Sequence, residues 1–166
     1  MKKIRTKKVA IHCDGSSTNN GQEDSYGSYG YVVLNNNVLV QEESEFKTNV
    51  TNNQMEMLGA ITALEWCFNN NLKNVQLYSD SKYLVKGCSE WMIKWKTNNW
   101  MTSDGFPVKN KMYWKELDHL INKMDIWFTW EKGHADNEWN NYVDMLCSST
   151  VESNSGISFE SYETLC

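Results

Sequence analysis

The sequence predicts an α/β fold whose core is a five-stranded mixed sheet flanked by helices. Strand-like and helix-like segments follow one another in the order β-β-β-α-β-α-α-β-α. Three strands without an intervening helix favour an antiparallel meander, and the two later strands, each preceded by a helix, favour parallel pairing. The length of 166 residues fits one domain with a substantial core, which we assign to residues 1–150. Residues 151–166 are polar and rich in serine, which predicts a flexible tail.

The first three strands are predicted from apolar residues in the first third of the chain. Residues 8–13 alternate as in a strand that ends at Asp14, and the Gly-, Ser- and Asn-rich residues 15–28 that follow are typical of a loop. Residues 29–34 and 38–46 predict two further strands, and the three asparagines between them predict a hairpin.

The helices and the remaining strands are predicted from helical periodicity and from short apolar runs. Thr51 and Gln54 match a capping box, and apolar residues then recur at helical spacing, which predicts a helix over 53–68. The later elements are predicted as a strand at 74–79, a helix at 81–96, a loop that holds the only proline, a helix at 111–122, a strand at 125–131 and a last helix at 138–149.

Composition and cysteine spacing exclude several classes of protein. The five cysteines are widely spaced and form no C-x-x-C pair, so we expect reduced, buried thiols and neither a zinc nor a redox site. No apolar run is long enough for a membrane span, and we expect no association with a membrane. The basic residues at the N-terminus give way to polar residues too soon for a signal peptide, which favours a cytoplasmic protein. We also expect a monomer.

The charge of the chain is unevenly distributed. The net charge is −5, but residues 82–115 carry seven lysines against two acids, which is a local +5 and leaves −10 for the rest. A basic segment on an acidic body is typical of local phosphate binding. A solvated helix face produces the same pattern, so charge alone does not choose between these two interpretations.

Four carboxylates are predicted to converge at one edge of the sheet. Asp14 ends the first strand and Asp80 follows the fourth, so both emerge at the same edge if these strands are parallel neighbours. Glu56 lies in the first turn of the first helix, and Asp144 lies inside the last helix. Clustered acids repel one another unless a cation lies between them, and carboxylate oxygens suit Mg²⁺, with Mn²⁺ as a substitute. Each acid by itself also fits a cap, a turn or an exposed position, so the prediction rests on their joint occurrence.

Four stretches of the chain resemble, in order and spacing, the motifs of type 1 ribonuclease H. They are CDGSS at 13–17, TNNQMEMLGAITALE at 51–65, YSDSKYLVKG at 78–87 and EKGHADNEWNNYVDML at 131–146. The resemblance implies a ribonuclease H-like fold, with residues 1–150 as the catalytic domain. It also implies an endonuclease that uses two Mg²⁺ ions per site to cut the RNA strand of an RNA–DNA hybrid, leaving 5′-phosphate and 3′-hydroxyl ends.

The resemblance assigns catalytic roles to five residues. The acids that bind the metal ions match Asp14, Glu56, Asp80 and Asp144. His134, in the loop after the fifth strand, matches a histidine that assists proton transfer or product departure, and imidazole suits that role because it titrates near neutral pH.

Further residues are expected to hold the hybrid. Asn52 and Asn53 also fit a simple helix start, and at least one of Trp91 and Trp95 also fits the core. Lys82 is expected to contact the backbone or a base edge, and Asn140 is expected to contact substrate from the last motif. Small polar side chains that match minor-groove contacts are Ser16, Ser17, Asn20, Asn52, Asn53 and Gln54, and those that match the family's basic protrusion against the DNA strand are Trp91, Lys94, Trp95 and Ser103.

Two other functions fit the same motifs. One is a nucleic-acid-binding module without catalysis, and the other is the nuclease part of a reverse-transcriptase-type assembly. The presence of all four acids favours an enzyme over a binding module, because clustered negative charge opposes the binding of phosphate. The sequence does not separate a stand-alone enzyme from a partner of a polymerase.

Overall fold

The strands and helices of the chain follow the predicted order. The structure is a computed structural model that describes residues 7–18, 22–133 and 136–155. Within these residues the elements are β1 (Val9–Thr18), β2 (Tyr26–Asn35), β3 (Val38–Thr48), α1 (Asn52–Asn69), β4 (Asn74–Ser79), α2 (Lys82–Lys86), a π-helical segment (Gly87–Trp91), α3 (Met92–Thr97), α4 (Lys111–Ile121), β5 (Asp125–Trp130) and α5 (Glu138–Ser155).

The five strands form one mixed sheet in the order β3-β2-β1-β4-β5. β2 pairs antiparallel with both β1 and β3, whereas β4 pairs parallel with both β1 and β5. The predicted meander with two parallel strands is therefore confirmed. The hairpin between β2 and β3 turns through Asn36 and Asn37, whose φ angles are 50° and 64°. Asparagine tolerates this left-handed conformation, which matches the twist of the flanking strands.

The loop predicted at 15–28 is wrong at both ends. β1 continues to Thr18 and β2 already begins at Tyr26, so that Gly15 pairs with Tyr29 and Thr18 pairs with Tyr26. Pairing with a neighbouring strand satisfies the backbone hydrogen bonds of these residues, which outweighs their turn-like composition.

The start of α1 is held by the predicted capping box. The Gln54 amide donates to the Thr51 Oγ1 at 3.1 Å, and the Thr51 amide donates to the Gln54 Oε1 at 3.0 Å. The inner face of α1, including Ala60 and Leu64, packs with Ile11 of β1 in the main core. The capped start of α1 therefore lies beside β1. Glu56, predicted in the first turn, is the fifth residue of the helix and follows that turn, because α1 already begins at Asn52.

The helix predicted at 81–96 is confirmed, but its middle has π-helical geometry from Gly87 to Trp91. Gly87 lies directly on the indole of the fully buried Trp114, since a Cβ at Gly87 would lie 2.0 Å from its ring. A side chain at this position would displace the helix. The close contact fixes the orientation of the segment that carries Trp91 and Trp95.

The last helix is longer than predicted. α5 continues to Ser155, six residues beyond the predicted end at 149, and includes the first five residues of the segment assigned to a flexible tail. Val143, Cys147 and Val151 recur at four-residue spacing and are buried, and the first two pack against Val32 of β2. The residues around this narrow apolar stripe are polar, so the helical pattern beyond residue 149 was not recognised in the sequence. Residues 156–166 lie outside the described residues, and the division into domain and tail stays a prediction.

The described cysteines fit reduced thiols. Cys13, Cys67, Cys88 and Cys147 are free, and all but Cys88 are fully buried. Burial raises the pKa of the Cys67 thiol to about 12, so the reactive thiolate is scarce at neutral pH. Over the same part of the chain, none of the helices combines the length and the apolar character needed to cross a bilayer.

Candidate active site

The pairing of β1 with β4 brings two acids to one edge of the sheet. The strands are parallel, and His12 lies opposite Tyr78 in the register. Asp14 and Asp80 each lie two residues farther along, Asp14 within β1 and Asp80 directly after the end of β4. The parallel register of β1 and β4 thus brings the two carboxylates close together.

Glu56 completes a group of three carboxylates. One oxygen from each of Asp14, Glu56 and Asp80 lies within 4.8 Å of the others. Asp14 is buried, with 8% of its surface exposed, and the other two are partly buried. The three side chains come from β1, α1 and the end of β4, so only the assembled fold creates the group.

Burial and mutual repulsion disfavour the ionised state of this group. Burial raises the pKa of Asp14 well above its usual range, and the charges of Asp80 and Asp144 raise it further. Burial likewise raises the pKa of Glu56, with added contributions from Asp14 and Asp80. A hydrogen bond from the Gly15 amide to the Asp14 Oδ1, at 2.9 Å, partly offsets these effects. A cation between the carboxylates would relieve the repulsion.

The three carboxylates fit a divalent metal ion. Among the described residues, the Glu56 Oε2 is buried and has no hydrogen-bond partner. A buried carboxylate oxygen without a donor is costly unless a ligand satisfies it. All the available donor atoms are oxygens, which suit the hard cations Mg²⁺ and Mn²⁺.

Asp144 approaches the group from α5 without belonging to it. Its charge contributes to the raised pKa of Asp14, but none of its oxygens falls within the 4.8 Å group. Asp144 is partly buried, and its backbone carbonyl accepts a hydrogen bond from the Ser148 hydroxyl at 3.0 Å. The structure thus brings three of the four predicted acids together and places the fourth beside them.

A row of polar side chains adjoins the carboxylates along the start of α1. The Ser17 amide and hydroxyl both donate to the Asn52 Oδ1, at 2.7 and 3.2 Å. The side-chain Nε2 of Gln54 donates to the Asn110 Oδ1 at 3.4 Å. Asn52 is exposed, whereas Ser16 and Asn53 are partly exposed. These residues form a polar surface that begins at the acids and continues toward α4.

Trp91 and Trp95 lie between the core and the surface. Their ring centroids are 5.9 Å apart, and each ring also contacts the aromatic cluster around the buried Trp114. With Lys94 they line an open cavity of about 350 Å³. A second cavity of about 290 Å³ is lined by Lys94, Trp95 and Ser103, among others. The two tryptophans therefore serve both the core and a basic surface.

The chain matches one protein family over most of its length. The family model described as RNase H matches residues 6–152. The chain belongs to the ribonuclease H family.

Relatives and solved structures agree with this assignment. The chain is 38% identical to the ribonuclease H of Clostridium botulinum over 151 residues, which cover 88% of this chain and 97% of that relative. The crystal structure of LC9-RNase H1, a type 1 RNase H with the type 2 active-site motif, is 24% identical with a TM-score of 0.78, and covers 97% of this chain and 82% of that chain. The foamy viral protease-reverse transcriptase in complex with RNA/DNA hybrid is 20% identical with a TM-score of 0.75, and covers 92% of this chain and 22% of that chain. The two structures show the shared fold, and the predicted class of phosphodiester hydrolase is confirmed by the family.

Other residues predicted for the ribonuclease H site differ in their placement. His134 and Asn20 lie outside the described residues. Asn140 is buried, with 3% of its surface exposed, and its Nδ2 has no hydrogen-bond partner in the described part of the chain. The Lys82 ammonium lies 4.8 Å from the centroid of the exposed Trp130 ring. The roles of these residues stay predictions.

Two residues near the ribonuclease H site were not predicted from the sequence. Asn110 accepts from Gln54 and donates to the Tyr83 hydroxyl at 3.1 Å, which links α1 to α2. Its φ of 59° is a backbone feature that asparagine favours, but the sequence pattern did not reveal it. Trp130 donates from its Nε1 to the backbone oxygen of Asp80 at 3.0 Å. The pairing of β5 with β4 explains this contact, and no local signal could have predicted it.

Proposed function

We propose that this ribonuclease H hydrolyses the RNA strand of RNA–DNA hybrids with two bound divalent metal ions, leaving 5′-phosphate and 3′-hydroxyl ends. The observation that carries the proposal is the group of Asp14, Glu56 and Asp80, whose oxygens lie within 4.8 Å of one another and include a buried oxygen without a partner. A binding module would gain nothing from three carboxylates that face a phosphate backbone.

The proposed ligands of the metal ions are Asp14, Glu56, Asp80 and Asp144. When bound, Mg²⁺ ions lower the pKa of an attacking water and stabilise the charge on the leaving oxygen. The chain itself orients these ligands: the Gly15 amide donates to Asp14, and the capping box fixes the start of the helix that carries Glu56. We expect Mn²⁺ to substitute for Mg²⁺, since both accept oxygen ligands.

His134 is proposed to assist proton transfer or product release at the site. It follows Gly133 directly in the chain, and Gly133 lies against the Asp80 carboxylate. A histidine adjacent in sequence to a residue that lies against Asp80 suits proton transfer to the departing 3′-oxygen or assistance to product release.

The polar row beside the acids is proposed to contact the hybrid. Hybrids are distinguished by 2′-hydroxyl groups and by shape across the minor groove, which small polar side chains can read. Two hydrogen bonds join Ser17 to Asn52, and a third joins Gln54 to Asn110, so the polar row is held in a defined arrangement beside the acids. Further minor-groove contacts are proposed for Ser16, Asn20, Asn53 and Asn140.

The basic surface at α3 is proposed to hold the DNA strand. Lys94 is exposed and lines both cavities with Trp95, whereas Lys96 is tied to Asp118 at 3.0 Å. Lys94 is therefore the better candidate for a phosphate contact. Trp91 and Trp95 offer ring surface to a sugar, and Ser103 and Lys82 are proposed as additional contacts. We expect the enzyme to act as a monomer.

The test is cleavage of an RNA–DNA hybrid labelled on each strand in turn. Wild-type protein with Mg²⁺ should cut only the RNA strand, and Asp80→Asn should abolish cutting while retaining hybrid binding. Duplex RNA, duplex DNA and single-stranded RNA are the control substrates, and the ends of the products should carry 5′-phosphate. Absence of cleavage in both Mg²⁺ and Mn²⁺, with hybrid binding intact, would leave a binding module as the function.

A further inference from the structure

A polar side-chain pair ties the loop after β5 to the other side of β4. The His12 Nδ1 and the Glu131 Oε1 are 3.1 Å apart, although the two residues are separated by 119 positions in the chain. Their side chains are only 13% and 15% exposed. The His12 ring also stacks on Tyr78 of β4, with centroids 4.7 Å apart and planes inclined by 10°. Glu131 thus reaches from the end of β5, past β4, to β1.

Two further hydrogen bonds hold Glu131 and Lys132 in place. The Glu131 amide donates to the carbonyl of Ser79 at 2.9 Å. The Asn137 side chain donates to the carbonyl of Lys132 at 2.6 Å. Residues 131–133 are therefore anchored at Glu131 to β4, and Lys132 is bonded to Asn137.

Gly133, two residues after Glu131, lies against the proposed metal ligand Asp80. A Cβ added at Gly133 would lie 2.5 Å from the Asp80 Oδ2 and 3.3 Å from its carboxyl carbon. The backbone of Gly133 therefore forms a wall on one side of the Asp80 carboxylate. A shift of Glu131 would therefore move the Gly133 backbone relative to the Asp80 carboxylate.

We propose that Glu131 and His12 are positioning residues that hold the Asp80 carboxylate in its metal-binding orientation through Gly133. The inference rests on the proposed function and names two residues to which the sequence motifs assign no role. A polar pair at this depth loses solvation, so a well-packed apolar pair would serve stability at least as well. The geometry gives the polar pair a second use, since a hydrogen bond fixes direction where an apolar contact does not.

Three substitutions, His12→Phe, Glu131→Ala and Glu131→Gln, separate the hydrogen bond from the packing. His12→Phe keeps a ring that can stack on Tyr78 but removes the partner of Glu131. Glu131→Gln keeps a side-chain oxygen that can accept a hydrogen bond from an N–H at the His12 Nδ1. We expect His12→Phe and Glu131→Ala to lower kcat and the affinity for Mg²⁺ by about 10-fold or more, with KM for the hybrid within about twofold, as found for residues that orient metal ligands. We expect Glu131→Gln to remain close to wild type.

The measurement is Mg²⁺ and Mn²⁺ binding by isothermal titration calorimetry without substrate, alongside kcat, KM and urea unfolding. Tyr31→Phe is the matched control, because it removes a 2.8 Å hydrogen bond to Glu43 between β2 and β3. This control should lose stability without losing metal affinity or kcat.

The outcomes are distinguishable. If His12→Phe is less stable but binds metal and turns over like wild type, the pair is only structural and the proposal is wrong. If Glu131→Ala does not fold, His12→Phe alone decides the question. If wild-type protein cuts no hybrid, the proposed function fails, whereas the calorimetric comparison still tests whether the pair positions Asp80.

Discussion

Asp80→Asn should stabilise the metal-free protein while removing its response to metal. The substitution replaces one of three carboxylates whose oxygens lie within 4.8 Å by a neutral group of the same shape. Two unit charges at that 4.8 Å separation repel by about 3.5 kcal/mol at an effective dielectric constant of about 20. Proton uptake by Glu56 and screening by water reduce this repulsion energy. We therefore expect Asp80→Asn to raise the free energy of unfolding by about 2 kcal/mol near pH 7.

The pH dependence follows from the raised pKa values of Asp14 and Glu56. Folding favours the protonated form of a carboxyl whose pKa is higher in the folded state than in the unfolded chain. The resulting penalty grows as the pH rises above the unfolded pKa of about 4 and disappears below it. The advantage of Asp80→Asn should therefore be present at neutral pH and shrink toward zero at about pH 4.

The assay is urea unfolding in EDTA and again with excess Mg²⁺. Wild type should gain stability from Mg²⁺, and Asp80→Asn should gain little. Glu152→Gln, which removes an exposed acid from α5, is the control and should change stability by less than about 0.5 kcal/mol. A metal-free Asp80→Asn protein that is no more stable than wild type at neutral pH would refute the electrostatic reasoning.

Three further predictions concern the cap, the loop and the basic surface. Thr51→Ala removes the side-chain acceptor for the Gln54 amide and should lower the free energy of unfolding by about 1 kcal/mol in urea titrations; an unchanged midpoint would contradict the role of the cap. Gly133→Ala places a methyl group 2.5 Å from the Asp80 Oδ2 and should lower kcat for hybrid cleavage by about 10-fold or more, whereas a wild-type kcat would show that the loop moves freely. Lys94→Ala should weaken hybrid binding and reduce the slope of log affinity against log salt by about 0.7–0.9, and an unchanged slope would exclude a phosphate contact.

Features that depend on a few neighbouring residues were predictable from the sequence. The capping box joins residues three positions apart, and the turn at Asn36 and Asn37 needs only a residue type that tolerates positive φ. The convergence of Asp14 and Asp80 was predictable for a different reason. The strand pattern predicted that both strands end at these acids, and parallel strands end at the same edge of a sheet. β1 continues past Asp14, but its parallel register with β4 still brings the two acids together.

Features that depend on partners far along the chain were not predictable. β1 extends past Asp14 because β2 pairs with it, although the residues involved have the composition of a turn. α5 continues to Ser155 because β2 offers an apolar surface to its buried stripe. In both cases the local propensity is weak, and burial or pairing decides the conformation.

The same division holds within the candidate site. The sequence by itself determined which acids are available, where α1 begins and which family the motifs resemble. Only the tertiary structure decided that Asp144 stands beside the group of three carboxylates, that Lys96 is engaged by Asp118, and that Glu131 reaches His12. Hydrogen bonds between residues that are close in sequence can be predicted from the local sequence. Distances between side chains on separate elements depend on how those elements pack.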